Sequence, residues 1–271
     1  MNPWIESLAA ALLAGGGFFL GRWFSRLPKP WWLAGYFIPL LLMFGFALAR
    51  RVPTLSFEPP LSWMMMGRNQ YAVIGFSVAM VLSTPLSRLT SRRDQIAVCI
   101  FILVGVAQGS VWPFLAPAFN RNFLATLQTR IDSDGVCLQS TQFNCGPAAA
   151  ITALRRVSLH ADEGPLAIQA HTSSGTGTPP DILARTLTQQ FGKDGLTAEY
   201  RAFRSLEDLR AAGLTLAILK FSLWLDHYVT VLEVTDSHVV IGDPMTGLMR
   251  LSHEEFKSRW RFVGIVVRRT R

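Results

Sequence analysis

Four apolar segments, each close to the length of a bilayer-crossing helix, crowd into the first 120 residues of this 271-residue chain and constrain its fold more than any other feature. A membrane-spanning helix needs about 20 mostly apolar residues. The segments run from Trp4 to Trp23, Trp31 to Leu48, Tyr71 to Leu86 and Ile96 to Phe119, and the second carries Leu40, Leu41 and Leu42 at its centre. Tryptophans at 4, 23, 31 and 32 fall at segment ends, where an interfacial aromatic belt is expected. Gly17 with Gly21, and Gly105 with Gly109, stand four apart, a spacing that permits close helix packing. The first segment lacks a basic start, carries Glu6 and ends at Arg22 rather than at a small-residue cleavage site. It therefore reads as a retained helix and not as a signal peptide. Between the second and third segments, Arg50 to Gln70, with Pro53, Pro59 and Pro60, reads as a loop. Residues 1–120 are thus expected to form an all-α four-helix transmembrane region in contact with the lipid bilayer.

The formal charge of +8 invites a nucleic-acid reading. Much of the basic excess, however, sits in short stretches between apolar runs, where lysine and arginine set membrane orientation. No arginine-rich arm or interleaved basic and aromatic pattern is present, so no nucleic-acid partner is expected. With the N-terminus outside, the inside loops hold Arg22, Arg26, Lys29, Arg88, Arg92 and Arg93; the outside segments hold Arg50, Arg51 and Arg68, with Arg121 just past the last helix. That surplus favours an N-out, C-out arrangement and an extracytoplasmic soluble domain. Three cysteines without a C-x-x-C spacing make neither a disulfide framework nor a metal site. No metal and no cofactor is expected.

From residue 121 the sequence turns to ordinary globular composition, and residues 121–271 are enough for an independent core. Helices are expected at Cys145 to Val157, entered through Gly146 and Pro147, at Pro180 to Phe191, and at Ser205 to Ala212, which opens on a Ser-x-x-Asp cap. Leu214 to Phe221, His227 to Val234, His238 to Gly242 and Phe262 to Val267 have strand composition and length, with a short helix at Glu254 to Trp260 before the last. Helices followed by an antiparallel sheet make an α+β domain.

Chemistry concentrates around Gln139-Ser-Thr-Gln-Phe-Asn-Cys-Gly-Pro. A cysteine at a helix N-terminus has its thiolate favoured by unpaired N–H groups and the helix dipole. Gly146 would let a substrate backbone approach, and Gln139 could present its amide to the oxyanion of a tetrahedral intermediate. Of the five histidines, His227 opens a strong apolar strand, a rigid platform for a base, while His160, His171, His238 and His253 read as surface or structural residues. If Thr235, Asp236 and Ser237 form a three-residue turn, Val234 faces His238 and Val229 faces Asp243. His227 and Asp243 are then diagonal neighbours on one face, about 7 Å apart at Cα. The adjacent Asp226 would point to the opposite face. Cys99 reads as a core or lipid-facing residue and Cys137 as structural, although a Cys137–Cys145 disulfide would silence the site.

These residues resemble the bacteriocin-processing cysteine peptidases, the papain-like family, often fused to ABC exporters, that cuts leaders after a double glycine. The resemblance covers about Gly135 to Arg269 and rests on Gln139, the Asn144-Cys-Gly-Pro-Ala core, Thr178-Pro-Pro-Asp-Ile-Leu, His227-Tyr-Val, Gly242-Asp-Pro and Phe256-Lys-Ser-Arg-Trp260. It implies Cys145 as nucleophile, His227 as general base, Asp243 as orienter and Gln139 as oxyanion donor. It further implies a thiol protease (a hydrolase) for a peptide or protein substrate, a bacterial inner-membrane setting, and room for a separate ABC exporter as partner. Asn144 stands where exporter-fused members usually carry aspartate, and here the peptidase-like domain follows the membrane helices. No G-x-x-x-x-G-K-[ST] loop is present, so the chain itself hydrolyses no ATP. Two other functions fit the same scaffold: a non-catalytic peptide-binding domain assisting an exporter, and an acyl transferase or amidase.

Overall fold

The structure, a computed structural model, describes residues 2–221 and 225–270. It separates into two compact units, Met1–Ala118 and Phe119–Arg271.

The first unit is helical. Its α-helices are α1 (Pro3–Ser25), α2 (Ala34–Arg51, preceded by a 3-10 turn at Trp31–Leu33), α3 (Leu61–Met65), α4 (Asn69–Ser83) and α5 (Arg92–Val106). A π-helical turn at Ala107–Val111 joins α5 to α6 (Trp112–Leu124). Among the described residues, four stretches are long and apolar enough to cross a membrane: Pro3–Ser25, Trp31–Arg51, Asn69–Arg88 and Arg92–Leu124. The expected loop at 50–70 holds α3 and a 3-10 turn, Pro53–Phe57. Small residues set the packing. A Cβ on Gly17 or Gly21 would run into the carbonyl oxygens of Phe76 or Met80 on α4, so α1 can approach α4 only because both positions lack side chains. Gly105 and Gly109, expected to act likewise, meet nothing within 4 Å. Trp4, Trp23 and Trp31 are exposed, whereas Trp32 is taken up by the Arg88 guanidinium, 4.2 Å above its ring, and by Tyr36.

The second unit is α+β. After a two-stranded ribbon of β1 (Arg130–Ile131) and β2 (Cys137–Leu138) come α7 (Cys145–Arg156), α8 (Glu163–Gln169) and α9 (Pro180–Phe191). Then follow β3 (Leu196–Ala202), α10 (Leu206–Ala212), β4 (Thr215–Lys220), β5 (Asp226–Val234), β6 (His238–Asp243), β7 (Gly247–Ser252), α11 (His253–Arg259) and β8 (Trp260–Arg269). The large sheet is antiparallel, in the order β3-β8-β4-β5-β6-β7.

Both faces of this sheet are covered. Val229, Val231, Val239, Ile241 and Trp260 bury one face with Leu209 of α10 and Phe256 of α11. On alternate positions Thr230 meets α7, its hydroxyl donating to the Ala149 carbonyl at 2.7 Å. Central strands covered on both sides read as near-continuous apolar runs, and the four strands expected from sequence are the four central ones. The two edge strands are only partly buried, β3 at Leu196 and β7 at Gly247 and Leu251, and they carry Glu199, Arg201 and Arg250 among their apolar residues. So β3 breaks the expected order of helices first and strands afterwards.

The β5–β6 hairpin also departs from expectation and then returns to it. Val234 pairs with Val239, not His238, because the turn takes four residues and closes with the Thr235 N–H donating to the His238 carbonyl at 2.9 Å. A bulge at Leu232, between the pairs Glu233↔Val240 and Val231↔Ile241, absorbs the extra residue. By Thr230↔Gly242 the ladder is in the expected register, which sets the spacing of His227 and Asp243.

Candidate active site

Cys145 is the first residue of α7 and is 9% exposed. The residue before it, Asn144, accepts the first helical hydrogen bond at its carbonyl from Ala148 N–H, 3.2 Å away. Its side chain makes no cap for the helix. Instead Asn144 Oδ1 accepts from the Thr141 N–H (3.0 Å) and hydroxyl (2.8 Å), while Nδ2 donates to Glu163 Oε1 at 2.5 Å. The first turn of α7 therefore takes no capping oxygen from Asn144, and Cys145 stands at the positive end of the helix dipole.

His227 Nε2 lies 2.8 Å from Asp243 Oδ1, and both side chains are largely buried. Burial alone would depress the imidazole; hydrogen bonds with Asp243 and Cys145, and the negative charge of both partners, outweigh it and raise His227 to about 9. Because Nε2 is engaged by the carboxylate, Nδ1 is the nitrogen left for the sulfur. Burial works against the ionised Asp243, but the bond from His227, its charge, and donors at Met245 and Thr246 hold the carboxyl below its usual range. The Met245 N–H donates to the same Oδ1 at 2.8 Å, fixing the carboxylate from the turn that follows it. That turn closes at Gly247, whose φ of +86° strongly favours glycine. Asp226, set aside on register grounds, accepts from Arg261 Nε at 2.9 Å. The Phe221 ring lies 5.9 Å from the imidazole.

Gln139 joins the cluster through its backbone, its N–H donating to the Pro244 carbonyl at 2.8 Å, next to Asp243. Its side-chain Oε1 is buried and has no hydrogen-bond partner among the described residues. Gly146 differs from expectation. A Cβ there would lie 3.0 Å from Thr178 Cβ and 3.4 Å from Tyr228 Cε2, so its missing side chain admits these two residues rather than a substrate backbone. Tyr228 in turn donates its hydroxyl to the Thr178 carbonyl at 2.9 Å, clamping the segment before α9 against the start of α7. Cys137 and Cys145 are both free thiols. Burial first, and the nearby Glu163 charge second, push Cys137 up to about 12, so it stays protonated and inert.

One contributor is not legible from sequence motifs. Glu163 on α8 is fully buried, and its carboxylate takes hydrogen bonds from the Ser140 N–H (3.1 Å), the Ser140 hydroxyl (2.5 Å) and Asn144 Nδ2 (2.5 Å). Burial raises its carboxyl, against the Ser140 bonds and the Arg130 charge, which lower it. Glutamate is rarely buried unless paired, and nothing in its local pattern marks it. Among the described residues no group of three or more His, Cys, Asp or Glu side chains is placed to hold a metal ion.

An α+β domain with a cysteine opening a helix and a histidine–carboxylate pair at a strand end has the papain-like fold of cysteine peptidases. Residues 134–271 match the Peptidase C39 family, and the chain belongs to that family. Two uncharacterized archaeal proteins are similar. One, from Methanothermobacter marburgensis, is 26% identical over 143 residues, covering 53% of this chain and 94% of its own. The other, from Methanothermobacter thermautotrophicus, is 25% identical over 130 residues, covering 48% and 85%. Among solved structures, a double glycine motif protease from an AMS/PCAT transporter, in complex with the leader peptide, aligns at 17% identity and a TM-score of 0.44, covering 54% of this chain and 96% of that one. The peptidase domain of Streptococcus ComA, a bi-functional ABC transporter, aligns at 19% identity and a TM-score of 0.43, covering 49% and 96%.

Proposed function

We propose that this chain is a membrane-anchored cysteine endopeptidase in which residues 1–120 span the bilayer four times and residues 121–271 carry Cys145, His227, Asp243 and Gln139 as the catalytic set. The observation that carries the reading is the single imidazole shared by a carboxylate and a helix-terminal thiol, held above its ordinary proton affinity by both. In the proposed cycle the Cys145 thiolate attacks the scissile carbonyl carbon and the His227 imidazolium protonates the departing amine. Water, deprotonated by His227, then releases the acyl group and regenerates the thiol. Asp243 keeps Nε2 protonated so that Nδ1 faces the sulfur. Gln139 is read as the oxyanion donor from the resemblance, supported by its backbone bond to Pro244, which holds it beside Asp243. Tethering confines cleavage to substrates near the membrane, and the resemblance to leader peptidases makes the glycine-ended leaders of peptides carried by a separate exporter the first substrate class to try. The arginine balance of the loops supports an extracytoplasmic side for the domain.

The test is labelling of the detergent-purified full chain with N-acetyl-Gly-Gly vinyl sulfone. Rapid labelling that is lost in both Cys145→Ala and His227→Ala supports the reading. Wild-type labelling no faster than that of free cysteine overturns it in favour of a peptide-binding module.

A further inference from the structure

We infer that Glu163 is the positioning residue of this site, fixing nucleophile and oxyanion donor relative to each other through one buried carboxylate. The inference rests on the catalytic reading above and deepens it. Ser140 immediately follows Gln139 and Asn144 immediately precedes Cys145, and the Glu163 carboxylate grips both ends of that loop: Oε1 takes the Ser140 N–H and Asn144 Nδ2, Oε2 takes the Ser140 hydroxyl. The polarity of the two N–H contacts is fixed. The Ser140 N–H can only donate, and Asn144 Oδ1 is already committed to the Thr141 N–H at 3.0 Å, so its amide nitrogen faces the glutamate. Three donors converge on a side chain with no solvent exposure, where an unsatisfied carboxylate would be heavily penalised.

Glu163 is itself held from behind. Its N–H donates to Thr129 Oγ1 at 2.9 Å, and Gly164 seats α8 against the Leu124 carbonyl with no room for a Cβ. The Ser140 oxygen also lies 3.0 Å from the Gln128 carbonyl, which shares the hydroxyl's single proton with Glu163. The 124–129 segment, α8 and the catalytic loop are therefore one hydrogen-bonded block, and Glu163 is the member that touches both flanks of the loop. It has no part in the chemistry itself, since the His227–Asp243 pair serves the sulfur independently. A displaced catalytic group costs rate rather than affinity: about 1 Å of misplacement can cost on the order of 100-fold.

The experiment measures kinact and KI separately for N-acetyl-Gly-Gly vinyl sulfone on the full chain in detergent, with thermal unfolding of each variant. Glu163→Gln keeps an oxygen for the Ser140 N–H and Asn144 Nδ2, and a nitrogen that can donate to the Ser140 hydroxyl. Glu163→Met keeps the shape and removes every acceptor. The expected result is a loss of kinact of about 100-fold in Glu163→Met, with KI within about threefold and with Glu163→Gln restoring most of the wild-type rate. A folded Glu163→Met with wild-type kinact, or a Glu163→Gln as slow as Glu163→Met, overturns the inference. If Glu163→Met fails to fold, Ser140→Ala decides, because Ser140 is half-exposed and the change is small. A roughly tenfold fall in kinact with an unchanged melting temperature then supports positioning, and an unchanged kinact overturns it. A wild type no faster than free cysteine removes the catalytic reading and this inference with it. A fast wild type with an indifferent Glu163→Met removes this inference alone.

Discussion

At the scale of single residues the site works by shared protons and shared donors, and two predictions follow from who shares with whom. The Asp243 carboxylate and the Cys145 thiolate raise His227 to about 9, so the imidazolium persists through neutral pH. Inactivation and turnover should fall as pH rises through about 9, when the imidazolium that protonates the α-carbanion of the sulfone adduct, or the leaving amine in turnover, is lost. The folded-state value lies above the unfolded one, so the stabilisation from this proton is complete below about 6.5 and disappears as pH climbs through about 9. In Asp243→Asn the alkaline limb of kinact/KI should move toward lower pH; a limb that stays in place would show that the carboxylate does not hold the imidazole. The second prediction concerns Asn144. Its amide donates to a fully buried carboxylate, so Asn144→Asp brings two acceptors face to face and should lower stability by about 1–3 kcal/mol. Adding Glu163→Gln restores a donor between the two positions. A double-mutant cycle by chemical unfolding should return a favourable coupling of roughly 0.5–3 kcal/mol, and strict additivity would count against the bond. The four residues picked from sequence lie near one another along backbone and side-chain contacts because each sits where its type has a specific physical use: a helix start, a strand end, a turn. Glu163 has no such address. Its importance comes from burial, which arises only when α8 packs, so sequence motifs pass over it.

Among the elements, legibility followed burial. The central strands β4, β5, β6 and β8 read plainly because both of their faces are covered, while β3 and β7 escaped because edge strands carry charge on one face. The Leu232 bulge likewise has no signature in Val-Leu-Glu-Val, yet it cancels an error of one residue in the turn and delivers His227 to Asp243. Had the longer turn lacked a compensating bulge, the pair would face opposite sides of the sheet, since a one-residue slip inverts every side chain. The β6–β7 turn is the element on which Asp243 depends most directly. Gly247→Ala would place an L-residue at φ +86° and push its Cβ to 2.8 Å from Asp132 Oδ2. The expected loss of unfolding free energy is about 1–2 kcal/mol, with slowed labelling of Cys145, because the Met245 and Thr246 donors that orient the carboxylate belong to this turn. Gly146→Ala should also destabilise, by about 1–3 kcal/mol, since Thr178 must yield at 3.0 Å. A neutral result in unfolding experiments would return Gly146 to its expected role as open ground for a substrate backbone.

For the whole molecule the question is which side of the membrane the thiol occupies, and its three cysteines make that measurable. Cys137 is buried and held protonated at about 12, and Cys99 is exposed on α5 within an apolar span. Cys145 stands at a helix start beside an imidazolium, so it is the thiol that a water-soluble reagent should modify. In a Cys99→Ser background, a membrane-impermeant maleimide applied to intact spheroplasts should label Cys145 before permeabilisation. That outcome matches the excess of arginine and lysine in the loops at 22–29 and 88–93 over those at 50–68, a surplus that favours the former inside. Labelling that appears only after permeabilisation would invert the topology and place cleavage before export rather than after it, leaving the catalytic assignments untouched. The two outcomes therefore separate the membrane half of the reading from the chemical half. The apolar segments fix only that the chain can cross a bilayer. A small difference in loop charge decides the direction of crossing, and the substrate that Cys145 meets depends on that direction.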